Sequence, residues 1–186
     1  MNLKTVLLST LGIVILSGCS THMEVKINKV EKKCFVEKTK APTWICEDHK
    51  DYYTIAHAKE NKLGFVFTRN AAINQGNEIL SKTIAKDLKN KIKNVMLKSK
   101  IKSVELRELF STNISKQIVN ININSTEKSK LWKSPKGSVY ILMKLNKDKI
   151  YQSSIRNVKS LIRYENSLNK IFLKNNGIKN LEQEFN

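Results

Sequence analysis

The chain has 186 residues, with 34 lysines and arginines against 16 acidic residues and a formal net charge of +18. That length suits one compact domain with an anchor segment and a tail, and it would cramp two domains. So basic a balance ordinarily points to polyanionic partners, but only Arg69, Arg107, Arg156 and Arg163 are arginines, and Asn and Ile are abundant alongside lysine. An AT-rich coding bias produces that mixture without selection for binding. Specific nucleic-acid readers rely on arginine forks and stacking aromatics, and neither clusters here, so no specific nucleic acid is expected as a partner.

The first predicted element is a leader. Lys4 is followed by an apolar run over residues 6–16, interrupted by Ser9, Thr10 and Gly12. The run is too short for a lasting transmembrane anchor and has the layout of a signal peptide. Leu16-Ser17-Gly18-Cys19 closes it with the form of a lipobox, small residues before a cysteine. Cleavage after Gly18 is expected, with Cys19 acylated on its sulfur and on its new amine. Each buried methylene contributes about 0.8 kcal/mol, so two or more acyl chains hold a protein at a membrane. Ser20 follows the cysteine where an Asp would resemble an inner-membrane retention signal, so the outer membrane is favoured. The alternative is an ordinary secretory signal with a chance cysteine.

Residues 19–40 offer few candidates for burial, chiefly Val25, Ile27, Val30, Phe35 and Val36, and read as a lipidated tether with one short edge strand. With Cys19 given to lipid, Cys34 and Cys46 form an even pair in an oxidising compartment, which predicts a disulfide. Closing that loop is worth about 3 kcal/mol. The alternative is a metal site, because Cys46 and His49 have ligand-like spacing and Cys34 and His57 stand as further ligands. Pro42 biases Ala41 toward an extended conformation, and Trp44 reads as a core plug at the start of the domain.

The α+β domain proper is expected over residues 41–163. Residues 51–58, with Tyr52, Tyr53 and Ile55, read as a strand and 59–64 as its exit loop. Ala72, Ile73, Gly76, Ile79, Leu80, Thr83 and Ile84 then recur at three and four, capped by Thr68 or Asn70, and predict an amphipathic helix. Lys82, Lys86, Lys89 and Lys93 form a stripe on its opposite side, either a solvated face or a site for a polyanion such as lipopolysaccharide. Lys91 falls where the core face should be, so the helix is expected to end or turn between residues 90 and 98. Leu106, Leu109, Phe110, Ile114 and Ile118 predict a second helix over residues 103–118.

Val119, Ile121 and Ile123 alternate with asparagines and read as a strand that Leu131 and Trp132 continue or resume. Residues 133–137 form a turn, and 138–145 a dense apolar run suited to the central strand of an antiparallel sheet. Helical spacing returns over residues 146–173 until a stop at Asn176-Gly177, with Glu165 interrupting the face. Residues 164–186 are therefore a helical extension. Its Leu168, Ile171 and Phe172, with Leu173, are either a self-association patch or part of a self-folded C-terminal helix.

Little in the chain supports catalysis. His22, His49 and His57 are its histidines, it has neither a nucleophile elbow nor a phosphate loop, and a Cys34–Cys46 bond would consume the thiols. No catalytic residue, metal centre or cofactor is expected, and the protein reads as a non-enzyme.

Ala41-Pro42-Thr43-Trp44-Ile45, the strand ending in Ala56-His57-Ala58, the Ala-bearing helix over residues 71–88, and Leu131-Trp132 followed by the run from Gly137 to Leu145 occur in that order. Together with the lipobox they resemble the Lpp-twenty lipoprotein family, named for a membrane-associated lipoprotein of gastric bacteria and including flagellar outer-membrane lipoproteins. The resemblance covers roughly residues 40–163. It implies a small antiparallel sheet with helices packed on one face, no enzymatic activity, no cofactor, and an envelope or surface role, in motility or as an antigen. The chain departs from it in the Cys34 and Cys46 pair and in the segment after Arg163. The expectation is a non-catalytic, lipid-anchored outer-membrane protein, facing the periplasm or the cell surface, that assembles with itself or with envelope proteins. The alternative is a polyanion-binding lipoprotein.

Overall fold

The computed structural model describes residues 33–50 and 52–186. The leader, Cys19, the tether as far as Lys32, and Asp51 lie outside the described residues. The fold is α+β. In chain order the elements are β1 (Cys34–Val36), β2 (Thr39–Ala41), a 3-10 turn (Thr43–Ile45), β3 (Tyr53–Ala58), α1 (Phe65–Lys98), α2 (Val104–Asn122), β4 (Glu127–Lys133), β5 (Val139–Lys144), α3 (Lys147–Tyr164), α4 (Asn166–Lys174) and α5 (Gly177–Phe185).

β3, β5 and β4 form an antiparallel sheet in that spatial order, so the most apolar strand is central, as its unbroken hydrophobic run predicts. Ala56 pairs with Ile141, which pairs with Leu131, on the face that meets the helices. His57, Tyr140 and Trp132 occupy the next row, on the opposite face. α1 lies across the first face through Ala72, Gly76, Leu80, Ile84 and Leu88, all buried, and continues beyond the sheet through Ile92, Val95 and Met96. The close approach depends on small residues. A Cβ at Gly76 would stand 2.3 Å from Met143 Sδ and 2.7 Å from Ala56 Cβ, closer than such atoms approach. α2 and α5 pack along the remainder of α1, and α3 packs against both α2 and α5.

Several local expectations are corrected. α1 begins at Phe65, with Gly64 at the cap position and no side-chain cap. Thr68 lies inside the first turn, donating to the Gly64 carbonyl at 3.1 Å and accepting from the Asn61 N–H at 2.9 Å, and Asn70 is also interior. The helix ends at Lys98, within the expected window of residues 90–98, but Lys91 is not what ends it. Lys91 Nζ reaches the Glu184 carbonyl at 2.8 Å and lies 5.1 and 5.7 Å from the Tyr151 and Phe185 rings, so the stem covers the core edge while the charge meets the last turn of α5.

The residues read as a strand at 119–123 belong to the end of α2 and a following 3-10 turn, Ile123–Ser125. Ile118 and Val119 are adjacent and both buried while Ile121 is exposed, a helical distribution that a two-residue alternation over so short a stretch cannot distinguish. Asn122 fixes that end by donating to the Ile118 carbonyl at 2.7 Å and to Ser153 Oγ at 3.3 Å.

Part of the segment read as tether is folded, because β1 and β2 form a hairpin there. Its two-residue turn, Glu37 and Lys38, has φ of 53° and 65°, the left-handed geometry that suits a tight hairpin. The Glu37 carboxylate offsets the cost by accepting bonds from Ser134 Oγ at 2.7 Å and Ser138 Oγ at 2.6 Å in the β4–β5 turn.

Candidate functional site

The four lysines of the predicted polyanion stripe do not act as a unit. Lys82 pairs with Glu78 one turn away, with both side chains exposed, an arrangement worth little in water. Lys86 points to solvent. Lys89 and Lys93 turn toward α2 and hold the Glu108 carboxylate at 2.6 and 2.7 Å. Hydrogen bonds from Lys89 and then Lys93 bring the Glu108 pKa down to about 2. Half of the stripe is therefore a clamp between two helices.

The predicted self-association patch is also divided, and this corrects its reading as one surface. Leu168 and Phe172 are buried in the chain's own core, while Ile171 and Leu173 are exposed. The cause is Asn176, whose φ of 56° reverses the chain so that α5 returns across α4. Gly177 then sits so close to Phe172 that a Cβ there would lie 2.3 Å from the ring. Asn176-Gly177 thus ends one helix and begins another.

Cys34 and Cys46 stand at disulfide distance, with Cα atoms 5.6 Å apart, and tie β1 to the segment after Trp44. Trp44 is buried, and its turn packs on β5. His49, the candidate metal ligand, places Nε2 2.7 Å from the Trp44 carbonyl and stacks its ring on Tyr53 at 6.0 Å. His57 stacks instead on Tyr140, 5.6 Å away. Among the described residues no group of three or more His, Cys, Asp or Glu side chains could hold a metal ion.

One polar network enters the core. Tyr52 donates to Asp87 Oδ2 at 2.5 Å, and Tyr151 lies 3.5 Å from the same oxygen. Burial, followed by the bond to Asp87, pushes the Tyr52 pKa well above its ordinary value, so its proton is held as a fixed donor. This joins the residue that leads into β3 to α1 and α3. A groove of about 390 Å3 lies between α2 and the α3–α4 junction, lined by Leu106, Phe110, Ile114, Leu161 and Leu168 and flanked by Tyr164, which is 82% exposed.

Leu63, Phe65, Val66 and Phe67, at the start of α1, are 67%, 43%, 64% and 54% exposed and stand outside the helix's periodic core stripe. The signal was present in the sequence: an apolar run immediately before a periodic stripe. No protein-family model matches the chain, and neither the curated proteins nor the solved structures contain a match.

Proposed function

We propose that the protein is a non-catalytic lipoprotein of the outer membrane, anchored through Cys19 and serving as a structural or assembly component of the cell envelope. The observation that carries this is Leu16-Ser17-Gly18-Cys19 after a charged start and a short apolar run. The two other cysteines, placed at disulfide distance, suit the oxidising side of a bacterial inner membrane. The resemblance of residues 40–163 to the Lpp-twenty lipoproteins supports the envelope role and extends it to motility or surface exposure.

Substitution of Cys19→Ala tests the anchor. The protein should leave the membrane fraction, and the mature mass should lose the acyl chains. Unchanged fractionation with an unchanged mass would overturn the reading. The polyanion alternative is weakened by the commitment of Lys89 and Lys93 to Glu108. Lipopolysaccharide binding that weakens when Lys82 and Lys86 are both changed to Gln would restore it.

A further inference from the structure

We infer that the first turn of α1 forms a second, non-covalent membrane contact that sets which end of the domain faces an anionic lipid surface. The inference rests on the reading that Cys19 holds the chain at a bilayer.

Leu63, Phe65, Val66 and Phe67 are consecutive but for Gly64, and all are exposed. A soluble helix does not ordinarily present so many large apolar side chains to water in one turn. They lie at an end of the domain where three connections meet. Glu37 in the β1–β2 turn bonds Ser134 and Ser138 in the β4–β5 turn, Gly137 lies against the Glu60 side chain, and Lys133 Nζ is 5.9 Å from the centre of the Phe65 ring.

The rim of this end is cationic. Lys59, Lys62, Lys133 and Lys136 are exposed, and among the described residues none forms an ion pair with a carboxylate. Two carboxylates share this end, Glu37, which accepts from the two serines and feels the charge of Lys136, and Glu60 beside Gly137, so the four lysines still leave a net positive charge there. An apolar tip ringed by lysines matches the boundary between phosphate headgroups and acyl chains, where aromatic and aliphatic groups enter and cations remain at the phosphates. The apolar surface of Val104 and Leu109 on α2 differs, since it is shared with Glu105 and Glu108. Thirteen residues lie between Cys19 and Lys33, a span of at most about 50 Å. An anchor on so long a connection does not by itself choose a face.

The test uses the full, lipidated chain in vesicles that carry brominated acyl chains. Phe67→Trp places a reporter at the tip, Leu109→Trp places one on α2, and the parent, with Trp44 and Trp132, supplies the background. In vesicles containing phosphatidylglycerol, Trp emission added by Phe67→Trp should shift to shorter wavelength and be quenched, less so with phosphatidylcholine alone or in high salt. Emission added by Leu109→Trp should not. A chain that sediments with the vesicles while the tip reporter stays unquenched would overturn this inference and leave the anchor reading intact. Equal quenching at both positions, or indifference to lipid charge, would also overturn it. A concentration-dependent blue shift at the tip without vesicles would assign the surface to a second copy of the chain. Failure to sediment with any vesicle would overturn the anchor reading as well.

Discussion

Lys91 Nζ donates a hydrogen bond of 2.8 Å to the backbone carbonyl of Glu184, joining the C-terminal part of α1 to the last turn of α5. A cation at a helix C-terminus satisfies carbonyls that have no partner within the helix, and Lys91 also lies over the Tyr151 and Phe185 rings. Lys91→Ala should therefore cost about 2 kcal/mol and loosen α5 before α1. Urea denaturation gives the first quantity and amide exchange in residues 177–185 the second. An unchanged midpoint would show that the tie is idle.

Gly76→Ala tests how closely α1 lies on the sheet. Alanine favours a helix by about 1 kcal/mol over glycine. Here its methyl group would meet Met143 Sδ at 2.3 Å and Ala56 Cβ at 2.7 Å. Met143 can swing aside but Ala56 is fixed to β3, so the helix must shift, at a cost of about 1 to 3 kcal/mol. Net stabilisation in a thermal melt would contradict this packing.

Reduction, or Cys46→Ser, should lower stability by about 2 to 4 kcal/mol and free the β1–β2 hairpin more than the helices. A chelator should leave the melting point unchanged, because Cys46 and His49 share no metal-binding group. Destabilisation by chelator, or none by reductant, would restore the metal alternative.

The Glu108 clamp predicts a pH dependence of defined sign. Lys89 and Lys93 depress the Glu108 pKa from 4.5 to about 2, so the folded state favours the ionised carboxylate. Its stabilisation is complete above about 4.5 and is lost as pH falls through that window toward 2. Glu108→Gln should remove this part of the acid sensitivity, measured as the difference in unfolding midpoint between pH 6 and pH 3. An equal loss in both proteins would show that the clamp contributes nothing.

Phe172→Ala separates a core role from an interface role. Phe172 is fully buried against Gly177, so truncation should cost about 3 to 5 kcal/mol. The sedimentation coefficient of the folded protein should not change. A shift in oligomeric state at unchanged stability would return Phe172 to the surface.

The elements legible in the sequence were those whose period the tertiary structure did not contest. β5 was readable as central because both its faces are covered, and the core stripe of α1 because its spacing persists from Ala72 to Met96. Lys91 misled because sequence period does not show that a long side chain can lay its stem along the core and send its charge to another helix. The 119–123 alternation misled because Ile118 and Val119 fit a helix face equally well. The β1–β2 turn was hidden because neither Glu37 nor Lys38 belongs to the residue types that favour positive φ. What holds Glu37 in that conformation, the pair Ser134 and Ser138, lies nearly a hundred positions away. Of the site residues, the lysines were placed correctly on one helix, but their partner Glu108 belongs to another, and only packing brings them together.

The Cys34–Cys46 connection also determines how tension would travel. A pull on the chain at Lys33 reaches Cys34 and crosses the sulfurs to Cys46, entering the sheet at β3 without loading the eleven residues between them. Trp44 and the Glu37 turn therefore sit in a slack loop that a strained tether does not peel from β5. Reduction would place that loop in series with the load and lengthen the chain by roughly 35 Å before β3 felt any force, an increment that single-molecule pulling resolves.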